Sequence, residues 1–328
     1  MIVAGVDEAG YGPLLGPLVV GSCAVRLPGS VNPNATETPD LWKLLKPAVS
    51  RKRSKDGRKL HIADSKSVYS PSAGLAELER AVLSFLACST TPPSPPSSLQ
   101  HAITLSAPES LRHLARHPWY AAQDAEKFPV SCSAAAVAIS ANGLRLALQD
   151  ARASIVRYAA SIVPEGQYND LVSRTRNKAS VLFTLAATHI DALVNLAGDD
   201  GALILCDRQG GRSHYRHLLM DCFPDHQLTV EAETEHRADY LLSRGKSVVR
   251  VSFAEKSEDQ NLPTAAASML CKYFREMTMA RFNRWWQQRV PGINDTAGYY
   301  TDGMRFLGDI RPHLPALGVQ EQDLVRAR

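Results

Sequence analysis

Residues 5–17 read Gly5-Val6-Asp7-Glu8-Ala9-Gly10-Tyr11-Gly12-Pro13-Leu14-Leu15-Gly16-Pro17. An apolar strand, Ile2 to Val6, ends here in two adjacent acids, and glycines follow in a tight turn. Successive strand residues point to opposite faces. Asp7 and Glu8 can therefore share one site only if the backbone turns at Glu8, a turn that Gly10 and Gly12 permit. Glycines also let backbone N–H groups approach a ligand with no side chain in the way. The spacing Gly10-x-Gly12-x-x-x-Gly16 does not match the dinucleotide fingerprint, and two acids would repel a pyrophosphate. Taken alone, an Asp-Glu pair is most simply a solvated strand end; further acids elsewhere in the chain change that balance.

Outward from this stretch, Leu18 to Arg26 reads as a second strand, close enough to the first for a hairpin. Residues 28–40 are polar and Pro-rich, hence a loop, and a short helix is expected around Leu41 to Leu45. Leu75, Leu78, Val82 and Leu86 have helical spacing. The Pro- and Ser-rich run 89–98 reads as a mobile linker. Helices are expected around Ser110 to Arg116 and Ala134 to Gln149. Ser154 to Val163 has a strand pattern that Pro164 ends. Lys178 to Ala197 is an amphipathic helix stopped by Gly198. A buried strand, Ala202 to Cys206, runs into Asp207. A further strand, Ser247 to Phe253, leads through a charged loop to a long helix from about Thr264 to Gln288. Alternating strands and helices predict an α/β fold, a mixed sheet flanked by helices. The whole chain, 1–328, reads as one domain carrying a largely helical insertion over 67–150.

The 328 residues suffice for a large core, and 45% hydrophobic with 21% charged residues is an ordinary globular balance. The longest apolar runs fall short of a membrane span. No basic, apolar leader opens the sequence, so a monomeric cytoplasmic protein with no membrane partner is expected. The Asn34-Ala35-Thr36 sequon then carries no weight. Six cysteines without a C-x-x-C pair predict buried free thiols. Net charge is only +4, but nine basic residues against Asp56 and Asp64 give the stretch from Lys43 to Lys66 a net +7. Such a run suits a solvated loop or a phosphate backbone.

Two more acids sit at junctions. Asp207 closes its strand, and ligands of α/β sheets gather at strand ends. Glu258 and Asp259 precede Pro263 and a helix opening Thr264-Ala265-Ala266-Ala267-Ser268, whose small residues would let it lie close against the sheet. Singly, each acid is a loop residue or a helix N-terminal charge. Together, Asp7, Glu8, Asp207 and Glu258 form the donor set that Mg²⁺ or Mn²⁺ prefers. Two such ions about 3.5–4 Å apart can activate a water and stabilise the leaving oxygen of a phosphodiester displacement. No Ser–His–Asp or Cys–His pattern suggests a protein nucleophile. Trp285 and Trp286 could stack on bases, but helix-end core residues are the simpler reading. Trp119 and Tyr120 are expected to anchor the insertion, and the histidines at 214, 217, 226 and 236 match no zinc spacing.

These motifs resemble the type 2 ribonucleases H, the HII and HIII enzymes and their relatives. Asp7-Glu8-Ala9-Gly10-Tyr11-Gly12-Pro13 followed by Gly16-Pro17 is similar to the family's D-E-A-G-R-G-P opening. Asp64-Ser65-Lys66 is similar to its D-S-K motif, and Leu205-Cys206-Asp207 to the strand ending in its third acid. The stretch from Phe253 to Tyr273 resembles the HIII segment with K-A-E and A-A-A-S, and Gly298-Tyr299-Tyr300-Thr301 the G-Y-x-T of HII. The resemblance implies a ribonuclease H-like fold. It also implies two-metal hydrolysis of the RNA strand of RNA–DNA hybrids, or of DNA with embedded ribonucleotides. Asp7, Glu8, Asp207 and Glu258 would then hold metal. Gly10, Tyr11 and Gly12 would read the ribose 2′-hydroxyl, Ser65 and Lys66 would meet phosphate, and Tyr299 would pack on the sugar. Counting back from Ser268 selects Glu258; counting back from Pro263 selects Asp259. Tyr11 stands where HII has an arginine, and the insertion has no counterpart in compact members. A nucleic-acid-binding protein that lost the chemistry is the rival of another class. An actin-like ATPase or sugar kinase would need a second glycine-rich phosphate loop, for which only Gly210-Gly211 offers itself.

Overall fold

The computed structural model describes residues 1–32, 38–121 and 127–327. The sequon at Asn34 and part of the expected loop over 28–40 lie outside them. Among the described residues there are nine strands: β1 (Ile2–Ala9), β2 (Leu18–Arg26), β3 (Val49–Ser50), β4 (Leu60–His61), β5 (Ser154–Val163), β6 (Ala202–Asp207), β7 (Gln227–Glu233), β8 (Arg237–Arg244) and β9 (Ser247–Ala254). Seven of them form one sheet in the order β5-β2-β1-β6-β9-β8-β7, and β3 and β4 pair separately. In the large sheet β1 is antiparallel to β2 and parallel to β6, which is parallel to β9, and its remaining pairs are antiparallel; β3 and β4 pair in parallel. The fold is thus a mixed α/β sheet with helices on its faces.

Strand alternation assigns each face of the sheet to a helix. Ile2, Ala4 and Val6 join the core under the helix Lys178–Ala197, whereas Val3 joins the core under the long helix Leu262–Gln287. On the long-helix side β1 carries Gly5, and a methyl group there would lie 2.2 Å from the backbone nitrogen of Thr264. Only glycine admits that approach. The small residues of the helix are therefore half of the fit, and the strand supplies the other half.

The helix Lys178–Ala197 begins where the Asn177 carboxamide accepts from the N–H groups of Ala179 and Ser180. With the turn that follows, it is long and apolar enough to cross a membrane by composition, contrary to the expectation that no run reaches that mark. Leu182, Ile190 and Leu193 are instead fully buried against the sheet. The region 67–150 contributes the helices Ala76–Cys88, Leu99–Ser106 and Ala134–Asp150, which share a core with β5 and the long helix. Trp119 is the anchor: its ring meets Phe282 at 5.9 Å, Trp285 at 5.8 Å and Trp286 at 6.4 Å. All three tryptophans are buried, so none is free to stack on a base.

The structure differs from the sequence reading in three ways. β7 is missed because it lies at the sheet edge and is largely exposed, leaving no buried stripe to read, and β8 is missed although Ala238, Tyr240 and Leu242 alternate into the core. The helices Leu99–Ser106, Glu165–Thr175 and Tyr300–Ile310 are also missed. All six cysteines are free, but only Cys23, Cys206 and Cys271 are buried, and Cys222 is exposed.

Candidate active site

β1 pairs with β6 only as far as Val6 opposite Cys206, yet it stays paired with β2 through Glu8–Val20 and Ala9–Val19. The backbone therefore does not turn at Glu8, as the sequence reading required. The sheet splits instead: past Val6, β1 stays with β2 and leaves β6, and a cavity opens between them. The turn comes at Gly10, whose φ of +84° and crowding by the Pro17 carbonyl and Arg275 admit no side chain.

This cavity, of about 260 Å³, is lined by all ten residues singled out above: Asp7, Glu8, Gly10, Tyr11, Gly12, Ser65, Lys66, Asp207, Glu258 and Tyr299. Asp7 and Glu8 come from the end of β1 and Asp207 from the end of β6. Glu258 comes from the turn Ser257–Gln260, and Asp259 does not line the cavity. Asp64, Ser268 and Lys272 also line it. Asp64 caps the short turn Ser65–Val68 by accepting from the Lys66 N–H at 3.1 Å, so the D-S-K sequence presents Lys66 at the rim.

The carboxylates are oriented by hydroxyls and amides. Asp7 Oδ1 accepts from the Glu8 N–H at 2.7 Å, and Ser268 adds a hydrogen bond. Asp207 Oδ1 accepts from the buried Ser257 hydroxyl at 3.1 Å. Among the described residues none of the four acids has an ion-pair partner. Burial, then the charges of Glu8 and Asp207, hold the Asp7 carboxyl well above the usual range. Burial, then Asp207, lifts Glu8 to about 8, against the opposing pull of Lys66. Burial raises Asp207 and Glu258 as well, and the Ser257 hydrogen bond counters it at Asp207.

An all-oxygen, all-acidic set whose carboxyls are raised by burial, with Lys66 the cation that pulls against it at Glu8 and Asp207, is chemically matched to a hard divalent cation. Among the described residues no three His, Cys, Asp or Glu side chains are already gathered closely enough to hold a metal ion.

Several residues that sequence reasoning missed hold the loop from Gly10 to Pro17 in place. Arg275, buried in the long helix, donates to the carbonyls of Pro17 at 2.6 Å, Ala297 at 3.0 Å and Leu15 at 3.3 Å. Arg326, close to the C-terminal end, donates to the carbonyls of Gly10 at 2.5 Å and Tyr11 at 2.6 Å. Its own burial lowers its pKa to about 10. Glu165 is fully buried, and its Oε1 accepts from the Gly16 N–H at 2.9 Å and the Tyr120 hydroxyl at 2.8 Å. The region 67–150 is thereby wired to the loop. The Gly298 carbonyl accepts from the N–H groups of Leu14 at 2.7 Å and Leu15 at 3.1 Å, which docks the segment that carries Tyr299. Nothing local marks these residues: Glu165 after Pro164 looks like a routine helix-opening charge.

Fold and cavity together define an α/β protein with an uncompensated carboxylate cluster at the split end of a mixed sheet. No protein-family model and no curated protein matches the chain. Its fold is similar to solved ribonucleases HII and HIII. The ribonuclease HII of Archaeoglobus fulgidus, solved in complex with PCNA, is 14% identical and aligns over 100% of this chain and 95% of that one, with a TM-score of 0.41. Bst-RNase HIII, solved with Mn²⁺, is 12% identical over 99% of this chain and 66% of that one, with a TM-score of 0.41. The ribonuclease H2 of Pyrococcus horikoshii OT3 is 13% identical over 99% and 92%, with a TM-score of 0.40. At these values the likeness says nothing of chemistry.

Proposed function

We propose that this chain is a metal-dependent endonuclease that hydrolyses the RNA strand of RNA–DNA hybrids. The single observation carrying this reading is the convergence of Asp7, Glu8, Asp207 and Glu258, drawn from three distant stretches, on one cavity where none of the four has an ion-pair partner among the described residues. The motif resemblance supports it.

Asp7, Glu8, Asp207 and Glu258 would hold Mg²⁺ or Mn²⁺. When bound, such ions supply Lewis acidity and charge neutralisation for an in-line phosphodiester displacement. Ser257 and Ser268 keep the Asp207 and Asp7 carboxylates aimed inward. Lys66, exposed at the rim, meets a backbone phosphate. The Gly10–Gly12 backbone, pinned from behind by Arg326, faces the cavity, and a methyl group placed on Gly12 would meet nothing within 4 Å. A ribose can therefore come close to these amides, and its 2′-hydroxyl is the group that distinguishes RNA from DNA. Tyr299 is 56% exposed, which suits a ring that packs on a sugar. The exposed cations Lys52, Arg53 and Lys55 follow Arg51, which donates to the Asp259 carbonyl next to Glu258, and would offer further phosphate contacts.

The test uses purified protein with three labelled duplexes: a long hybrid, a single ribonucleotide in DNA, and plain DNA. Cleavage at ribonucleotides that requires Mg²⁺ or Mn²⁺ and is lost in Asp7→Asn is expected. Undiminished cleavage by Asp7→Asn would overturn the assigned role, and a wild-type chain that binds hybrid without cutting it would make this a binding protein.

A further inference from the structure

Several exposed or half-buried arginines are occupied by acids: Arg237 by Asp239 at 2.7 Å, Arg250 by Glu231 at 2.8 Å, Arg305 by Asp302 at 2.7 Å and Arg311 by Glu321 at 2.7 Å. Arg174, Arg176 and Lys178 are different. Arg174 lies in the last turn of the helix Glu165–Thr175, Arg176 follows it, and Lys178 opens the next helix. All three are exposed, and among the described residues none is paired with an acid. Three uncompensated cations within five residues repel one another, an arrangement the fold itself does not need.

Their position gives them a use. The Lys178 ammonium lies 5.5 Å from the centre of the Tyr11 ring. Lys178 also lines a second, smaller cavity of about 50 Å³ with Arg326, whose other walls include Tyr11, Gly12 and Pro13. Those three residues line the carboxylate cavity too, so the two cavities border the same strip of loop. Arg326 is 3% exposed, and its Nε has no hydrogen-bond partner. A buried guanidinium with a free Nε, sharing a cavity with the exposed Lys178, is a setting for an anion, and Arg174 and Arg176 lie within four residues of that lysine.

We infer that Arg174, Arg176 and Lys178, with Arg326, form a second phosphate-binding bank, which takes the polynucleotide backbone after it passes Tyr11. This rests on the nuclease reading for the identity of the polymer. The bank would give the duplex a second line of contact besides Lys66, with the carboxylates between the two. Phosphate contacts fix register and orientation and carry no base information, so the bank positions the strand and leaves sequence unread.

The experiment is fluorescence anisotropy with a short labelled RNA–DNA duplex and Ca²⁺ as the divalent ion, across a salt series. The Arg174→Gln, Arg176→Gln, Lys178→Gln triple variant is expected to raise Kd about tenfold or more near 0.1 M salt, and to make the slope of log K against log[salt] shallower by about two. The charge-conserving variant Arg174→Lys, Arg176→Lys, Lys178→Arg should keep both values near wild type. Arg244→Gln with Lys246→Gln, at the far end of the sheet, should leave them unchanged. An unaltered Kd and slope in the triple glutamine variant, or equal weakening by the remote pair, overturns the bank. A wild-type chain that binds no duplex defeats both proposals. Charge-dependent binding by a chain that never cleaves sustains the bank while hydrolysis falls.

Discussion

Two groups of carboxylates on the same sheet are treated in opposite ways. On β7, β8 and the end of β9, Glu231 is held by Arg250 at 2.8 Å, Asp239 by Arg237 at 2.7 Å, and Glu255 by Arg208 at 2.8 Å. At the split between β1 and β6, Asp7, Glu8, Asp207 and Glu258 meet hydroxyls and backbone amides but no arginine among the described residues. The paired group lies on the open part of the sheet, and the unpaired group is sunk where burial makes each negative charge costly. Where the protein needs only a surface, it compensates its acids. At the split it leaves them without an ion-pair partner among the described residues.

The largest effect should come from Asp207→Asn, which removes one charge from the uncompensated group. Cleavage of hybrid is expected to fall by about three orders of magnitude or more, roughly 4 kcal/mol of barrier. Asp239→Asn, in the compensated group, should cleave at the wild-type rate in the same assay, and equal losses from both would erase the distinction. Next comes the packing that shapes the split. Gly5→Ala places a methyl group 2.2 Å from the Thr264 backbone, and denaturant melts should show a loss of about 3 kcal/mol or more.

The pH response of metal-free protein sharpens the contrast further. The Glu8 carboxyl is raised from 4.5 to about 8. The protonated form is thus favoured in the folded state, and stability present below pH 4.5 is lost as the pH rises through about 8. In EDTA, Glu8→Gln should therefore melt above wild type at pH 8, and the gap should close toward pH 4.5. A gap independent of pH would show that Glu8 is not held protonated. The smallest effect belongs to the compensated pair itself: Asp239→Asn should lower stability by about 1 kcal/mol or less, because Arg237 remains partly in water.

What could be read from the sequence followed from the range of the forces involved. β2, β5 and the helix Lys178–Ala197 match the expected bounds because a local apolar period and a local stop, such as Pro164 or Gly198, define them. The ten candidate site residues stood in short motifs, and the structure gathers them around one cavity. The way Asp7 and Glu8 come to share it was misread. Alternation along an isolated strand demands a turn, but a strand that leaves one neighbour and stays with the other opens a gap that both side chains border. Arg275, Arg326 and Glu165 left no trace, since their partners are backbone groups far along the chain that no spacing rule connects. β7 was hidden by exposure.

The central claim is that four acids await a divalent ion. Calorimetric titration of metal-free protein with Mn²⁺ tests it most directly, on wild type, Asp7→Asn and Asp239→Asn side by side. Saturable binding by wild type and Asp239→Asn, with Asp7→Asn weakened about tenfold or more, is the predicted result. Mn²⁺ bound equally well by Asp7→Asn, or not bound by the wild-type chain, would contradict it.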